Sequence, residues 1–109
     1  MKPIGFHPEA DEEVTEAARY DEARQPGLGS SLLGEVAHAL DQVQANPEAS
    51  QRIGTRVRHK TLWRFPYNLL YAVYPDRIRV VAFAHHKRRP FYWRKRLRAM
   101  AERPSASRP

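Results

Sequence analysis

The sequence predicts an α+β fold: an N-terminal strand, then an antiparallel helical hairpin packed on one face of a small, mainly antiparallel sheet (β-α-α-β-β-β), then a short C-terminal helix. Three observations point there. Up to residue 47 the apolar residues recur at helical spacing, and from residue 56 the period drops to two. The three β-rich runs of the second half are joined by turns too short for a crossover, which makes them an antiparallel meander. The chain has 109 residues and is 41% hydrophobic, enough for one compact core and too little for a doubly wound sheet or an eight-fold barrel.

Ile4 to His7 reads as a short strand. Pro8 suits a first helical turn, and Glu9, Asp11, Glu12 and Glu13 favour a helix N-terminus. Ala10, Val14, Ala17, Ala18 and Tyr20 share a face, so the first helix spans about Glu9 to Ala23 and stops before Pro26-Gly27. Leu32, Leu33, Val36, Ala39, Leu40 and Val43 form the stripe of a second helix. Ser30 or Ser31 offers its cap, and Asn46-Pro47 closes it. The short Arg24–Leu28 link makes the pair an antiparallel hairpin.

From residue 56 the even positions are Arg56, Arg58, Lys60, Leu62 and Arg64. The odd ones are Val57, His59, Thr61, Trp63 and Phe65. This alternation predicts a strand with one cationic and one mostly apolar face. Its cations are expected on the sheet face left free by the hairpin, or on an edge. After Pro66, residues Asn68 to Tyr74 are apolar on both faces, as in an interior strand. Pro75-Asp76 is a turn. Ile78 to Ala84 follows, with Ile78, Val80, Ala82 and Ala84 on one side and Arg79, Val81, Phe83 and His85 on the other. Tyr92 to Met100 can form a short helix. Residues 1–102 make one domain, and 103–109 read as a disordered basic tail.

The charge is polarised. Residues 1–50 hold three cations and ten acids, a net −7, while residues 51–109 hold sixteen cations and two acids, a net +14. Such a basic half attracts a polyanion or an acidic partner. Without cysteines there is no disulfide framework and no thiolate metal site. Adjacent His85 and His86 point to opposite sides of a strand, so no metal site is expected, and no phosphate loop or catalytic triad pattern occurs. Nor is a cofactor implied. With no apolar run of membrane-spanning length and no signal-peptide core, a cytoplasmic protein without membrane contact is expected.

Several blocks carry a resemblance. They are Pro8-Glu9-Ala10, Pro47, Gly54-Thr55-Arg56, and Arg64-Phe65-Pro66-Tyr67-Asn68-Leu69-Leu70-Tyr71. Ala82-Phe83-Ala84-His85 then runs into Arg88-Arg89-Pro90-Phe91-Tyr92-Trp93. Over residues 4–96 the chain resembles the RelE/ParE superfamily of type II toxin–antitoxin toxins, and the ParE, plasmid-stabilisation branch in particular. The resemblance implies a growth-inhibiting toxin that forms a hetero-oligomer with a cognate antitoxin. Its target would be DNA gyrase if ParE-like, with no enzymatic activity. If RelE-like, it would be a metal-independent endoribonuclease acting on mRNA at the ribosome. A non-toxic nucleic-acid-binding module is a third reading.

Under the nuclease reading His85, Arg88 and Tyr92 are the catalytic candidates, for proton transfer and for stabilising charge on phosphorus. The position that matches a catalytic arginine of RelE is the neutral Asn68, which favours the gyrase reading. Candidates for binding target or antitoxin are Arg56, Arg58, Lys60, Arg64, His86, Lys87, Arg89 and Trp93. Plainer roles stand beside these. His85 can be a hydrogen-bonded structural histidine, Tyr92-Trp93 can anchor the C-terminal segment, and the cationic strand face can simply be solvated.

Overall fold

A computed structural model describes residues 1–102. The elements are β1 (Ile4–Phe6), α1 (Pro8–Arg24), α2 (Leu28–Ala45), β2 (Arg52–Ile53), β3 (Val57–Thr61), β4 (Tyr67–Val73), β5 (Ile78–His85) and α3 (Arg94–Glu102). The five strands form one sheet in the order β1-β5-β4-β3-β2. β1 runs parallel to β5, and the other neighbours are antiparallel. The expected α+β architecture is therefore present, with the two-residue β2 as an unforeseen edge strand. The tail expected at 103–109 lies outside the described residues.

The hairpin forms for local reasons. His7 caps α1, its Nδ1 accepting the Glu9 amide at 3.1 Å, and Pro8 occupies the first turn. Ala10, Val14 and Ala17 are buried, whereas Tyr20 turns out to solvent. The start of α2 differs from expectation. Neither Ser30 nor Ser31 caps it. The helix begins at Leu28 behind Gly27, whose φ of 91° suits glycine, and the cap comes from α1. Glu22 accepts the amides of Gly27 and Gly29, each at 2.9 Å. These bonds hold the Glu22 carboxyl below its ordinary range. Gly29 also lets the helices close up, since a Cβ there would sit 2.6 Å from the Ala18 carbonyl oxygen.

Leu32, Val36, Ala39 and Val43 of α2 join α1 over Leu69, Tyr71, Ile78, Val80 and Phe83, the main core. Tyr71 Oη donates to the Pro47 carbonyl at 2.7 Å and fixes the chain leaving α2.

Two expectations about the sheet need correction. First, its other face is not left free. Val57, Leu70, Ala72, Tyr74, Val81, Ala82 and Ala84 build a second core there, closed by Trp93 with Tyr92 and Leu97. The aromatic C-terminal segment has apolar area to bury, and that face offers the matching surface. Second, the cationic side of β3 faces the hairpin. Arg58 pairs with Tyr71 and Lys60 with Leu69, both in the main core, whereas Val57 and His59 pair with Ala72 and Leu70 of the second core. On that side Arg58 reaches the backbone carbonyls of the connection after α2, and Lys60 lies along the groove between α2 and β3.

A bulge accounts for a third difference. Leu70 pairs with Ala82 but Tyr71 with Val80, which leaves Val81 as an extra residue in β5. Alternation changes phase there. Ile78 and Val80 face the hairpin as their side of the strand requires, yet Phe83 faces it too, while Val81, Ala82 and Ala84 face the second core.

Candidate functional site

The segment after β5 carries the densest positive charge. His86 N donates to the Pro66 carbonyl at 2.9 Å, and Arg88 N to the His85 carbonyl at 2.9 Å, which curls the chain off the strand. Phe91 takes a φ of 60°, a left-handed turn that redirects the chain into α3. Trp93 is then driven into the second core, where it is only 5% exposed, with the Phe91 ring 5.5 Å away. Trp93 thus sits among the packing residues rather than on a binding surface. Along this segment His86, Lys87, Arg88, Arg89, Arg94, Lys95 and Arg98 are all exposed. A cleft of about 220 Å³ opens beside it, floored by Leu70 and Ala84 and rimmed by His86 and Arg89.

His85, Arg88 and Tyr92 come close together, but each is engaged. His85 Nδ1 accepts the Lys87 amide at 3.1 Å, and its ring meets the Tyr67 ring edge-on at 5.3 Å. The Arg88 guanidinium lies 3.9 Å above the Tyr92 ring. Tyr92 Oη donates to Glu13 Oε2 at 2.9 Å. Burial, and then that hydrogen bond, push the Tyr92 phenol well above its ordinary range. Asn68 Oδ1 accepts the Thr61 hydroxyl at 2.7 Å on the neighbouring strand.

Glu13 holds this region, and no sequence motif singles it out. Burial pushes its carboxyl up, but hydrogen bonds from Arg96, the Phe83 amide and Tyr92 outweigh that, so it is held below the usual range.

The remaining basic candidates are dispersed. Arg56 lies over the Tyr74 ring at 5.8 Å, on the second face. Arg58 Nη1 donates to the Ser50 carbonyl at 2.7 Å and the Glu48 carbonyl at 3.1 Å, which ties down the α2–β2 connection. Lys60 and Arg64 line a groove of about 710 Å³ between α2 and β3, with Glu35, His38, Gln42 and Trp63. Glu35 accepts the amides of both Trp63 and Arg64. That grip projects the Trp63 ring, which is 86% exposed, into solvent. The expected continuous cationic row is thus three separate sites. A strand pattern gives the side of each residue but not what the next element covers.

Among the described residues there is no group of three or more histidines and carboxylates able to hold a metal. No helix there is long and apolar enough to cross a membrane.

The arrangement has known counterparts. A solved structure described as the chromosomal ParDE TA system from P. aeruginosa is similar, with a TM-score of 0.59 and 20% identity, covering 78% of this chain and 96% of that one. At that identity the likeness concerns the fold. Comparison with curated proteins finds no match. The family model described as "ParE toxin of type II toxin-antitoxin system, parDE" matches residues 4–90. That span takes in the hairpin, the whole sheet and the basic turn after β5, and the chain belongs to the ParE toxin family.

Proposed function

We propose that the protein inhibits DNA gyrase by binding it through the basic segment after β5, and that a cognate antitoxin neutralises it. The observation that carries this reading is the state of Tyr92. A general acid must present its proton to a leaving group and titrate near the working pH. The Tyr92 hydroxyl instead donates its hydrogen bond to Glu13 and keeps its proton, because burial first and then that bond raise the phenol. With Asn68 neutral and hydrogen-bonded to Thr61, the site is short of the groups RNA cleavage needs, while exposed Lys87, Arg89, Arg94 and Lys95 present charge for binding.

The antitoxin's seat is the groove between α2 and β3. An isolated tryptophan so exposed is a natural anchor point for a partner. Lys60, Arg64 and His38 around it suit a segment that combines carboxylates with an apolar side chain.

Induced expression tests the toxin assignment. Growth should stop, and co-expression of the adjacent small reading frame should restore it. Purified protein should leave ribosome-bound mRNA intact. Message cut at codon boundaries, with loss of cutting in Arg88→Ala, would establish the nuclease instead.

A further inference from the structure

β1 pairs only with Ile78–Val80, so the outer edge of β5 continues beyond it without a strand partner. The bulge at Val81 turns the Val81 carbonyl and the Phe83 amide toward that open edge. Neither is left to water. Arg96 Nη1 donates to the Val81 carbonyl at 3.1 Å, and the Phe83 amide donates to Glu13 Oε1 at 3.0 Å. Two side chains, one from α1 and one from α3, take the place of a neighbouring strand.

The same two side chains are bonded to each other. Arg96 Nη1 and Nη2 reach the two oxygens of Glu13 at 2.9 and 2.8 Å, a two-pronged pair. Tyr92 Oη adds its bond at 2.9 Å, and Arg88 Nη1 stands 3.9 Å away. Glu13 therefore gathers donors from β5, from the turn after it and from α3. Among the described residues the segment's other tie to α1 is the Arg96 Nε–Glu9 Oε1 pair at 3.3 Å, in which the Glu9 side chain is largely exposed and its charge screened, while its backbone bonds, apart from His86 N to the Pro66 carbonyl, are short-range turns. Removing the Glu13 carboxylate orphans the Tyr92 hydroxyl and the Phe83 amide together, and leaves Arg96 with only the Val81 carbonyl and the Glu9 carboxylate.

We infer that Glu13 is the positioning residue of the toxin's C-terminal segment, holding Tyr92 and Arg96 to the β5 edge so that the exposed cations between and around them face the target as one rigid surface. This rests on the reading that the segment engages gyrase. A cationic segment that is already ordered binds without the cost of ordering it first. Glu13 touches no target itself; it acts through Arg96 and Tyr92.

The test compares the full-length wild type with Glu13→Ala and Glu13→Gln by hydrogen–deuterium exchange and by inhibition of purified gyrase. In Glu13→Ala the amides of residues 91–98 should exchange roughly ten-fold faster, while those of Leu32–Val43 keep their protection. The concentration giving half-inhibition of supercoiling should rise by roughly ten-fold or more, with Glu13→Gln in between because its single amide oxygen still accepts one of the two donors, Tyr92 or the Phe83 amide, that Glu13 holds on separate oxygens. Should Glu13→Ala be too poorly folded, Arg96→Gln removes the same pair from the other side and should loosen the same amides. Wild-type protection of residues 91–98 in these variants overturns the inference. So does unchanged inhibition once the segment has been loosened. A wild type that leaves gyrase untouched defeats the target assignment, and the variants are then read by growth arrest, where full toxicity with a loosened segment overturns the inference.

Discussion

Glu35 and Arg64 meet twice. The carboxylate accepts the Arg64 amide at 2.8 Å through Oε2 and faces the Arg64 Nε at 3.4 Å through Oε1, while it also takes the Trp63 amide. The backbone bonds outweigh the ion pair, because the Arg64 side chain is more than half exposed and its charge is screened. Glu35→Ala should destabilise the protein by about 1 kcal/mol, and Arg64→Ala by less than about 0.5 kcal/mol. Urea denaturation of the two variants distinguishes them, and equal losses would mean that the ion pair, not the backbone bonds, holds the two elements together.

Trp63 is held out by that grip, and under the proposed function its ring serves binding rather than folding. Trp63→Ala should leave stability within about 0.5 kcal/mol of wild type. It should weaken antitoxin binding by about 2 kcal/mol, a roughly 30-fold rise in Kd. Calorimetric titration with the purified antitoxin checks this. An unchanged Kd would place the antitoxin elsewhere.

The two glycines inside α2 should respond oppositely to the same change. Gly29 packs against α1, and its Cβ would fall 2.6 Å from the Ala18 oxygen, whereas a Cβ at Gly34 meets nothing within 4 Å. Gly29→Ala should cost about 1–3 kcal/mol by forcing the helices apart. Gly34→Ala should stabilise by about 0.5–1 kcal/mol through helix propensity. Thermal unfolding of both variants reads the difference directly.

Glu13 sets a pH dependence of known sign. Its folded carboxyl titrates below the ordinary 4.5, so the unfolded chain takes up the proton first. The stability it provides is complete above the unfolded value and is lost as the pH falls through the folded one. The gap between wild type and Glu13→Gln should be constant from about pH 8 to about pH 5 and shrink below it. Denaturation curves across that range test the sign, and a gap that widened in acid would contradict it.

Much of the fold is legible because burial follows period. Ala10, Val14 and Ala17, and Leu32, Val36, Ala39 and Val43, mark the hairpin, and all are buried. β4 reads as interior and is. What escapes the pattern is what one extra residue or one long side chain changes. The bulge at Val81 swaps the facing of Phe83, and no spacing rule announces it. The C-terminal segment reads as basic, yet its aromatic residues pack on the sheet and close the second face.

The two organising acids share a hidden signature. Glu13 follows Ala10 by three and precedes Val14, and Glu35 follows Leu32 by three and precedes Val36. At about 100° per residue each lies roughly 40° from the next buried alanine, Ala17 or Ala39, on the shoulder of the stripe. From there a carboxylate reaches past its own helix to strand and loop amides. Glu9, Glu12 and Glu16 point further from the stripe, and composition alone does not separate them from Glu13.

In the proposed function, binding through an ordered basic segment is the step on which the toxin's action depends. A gyrase supercoiling assay with purified wild type and a Lys87→Ala/Arg89→Ala/Lys95→Ala variant tests it most directly. The wild type should block supercoiling, and the variant, still folded, should fail to. Unimpeded supercoiling in the presence of the wild type, or full inhibition by the variant, would contradict it.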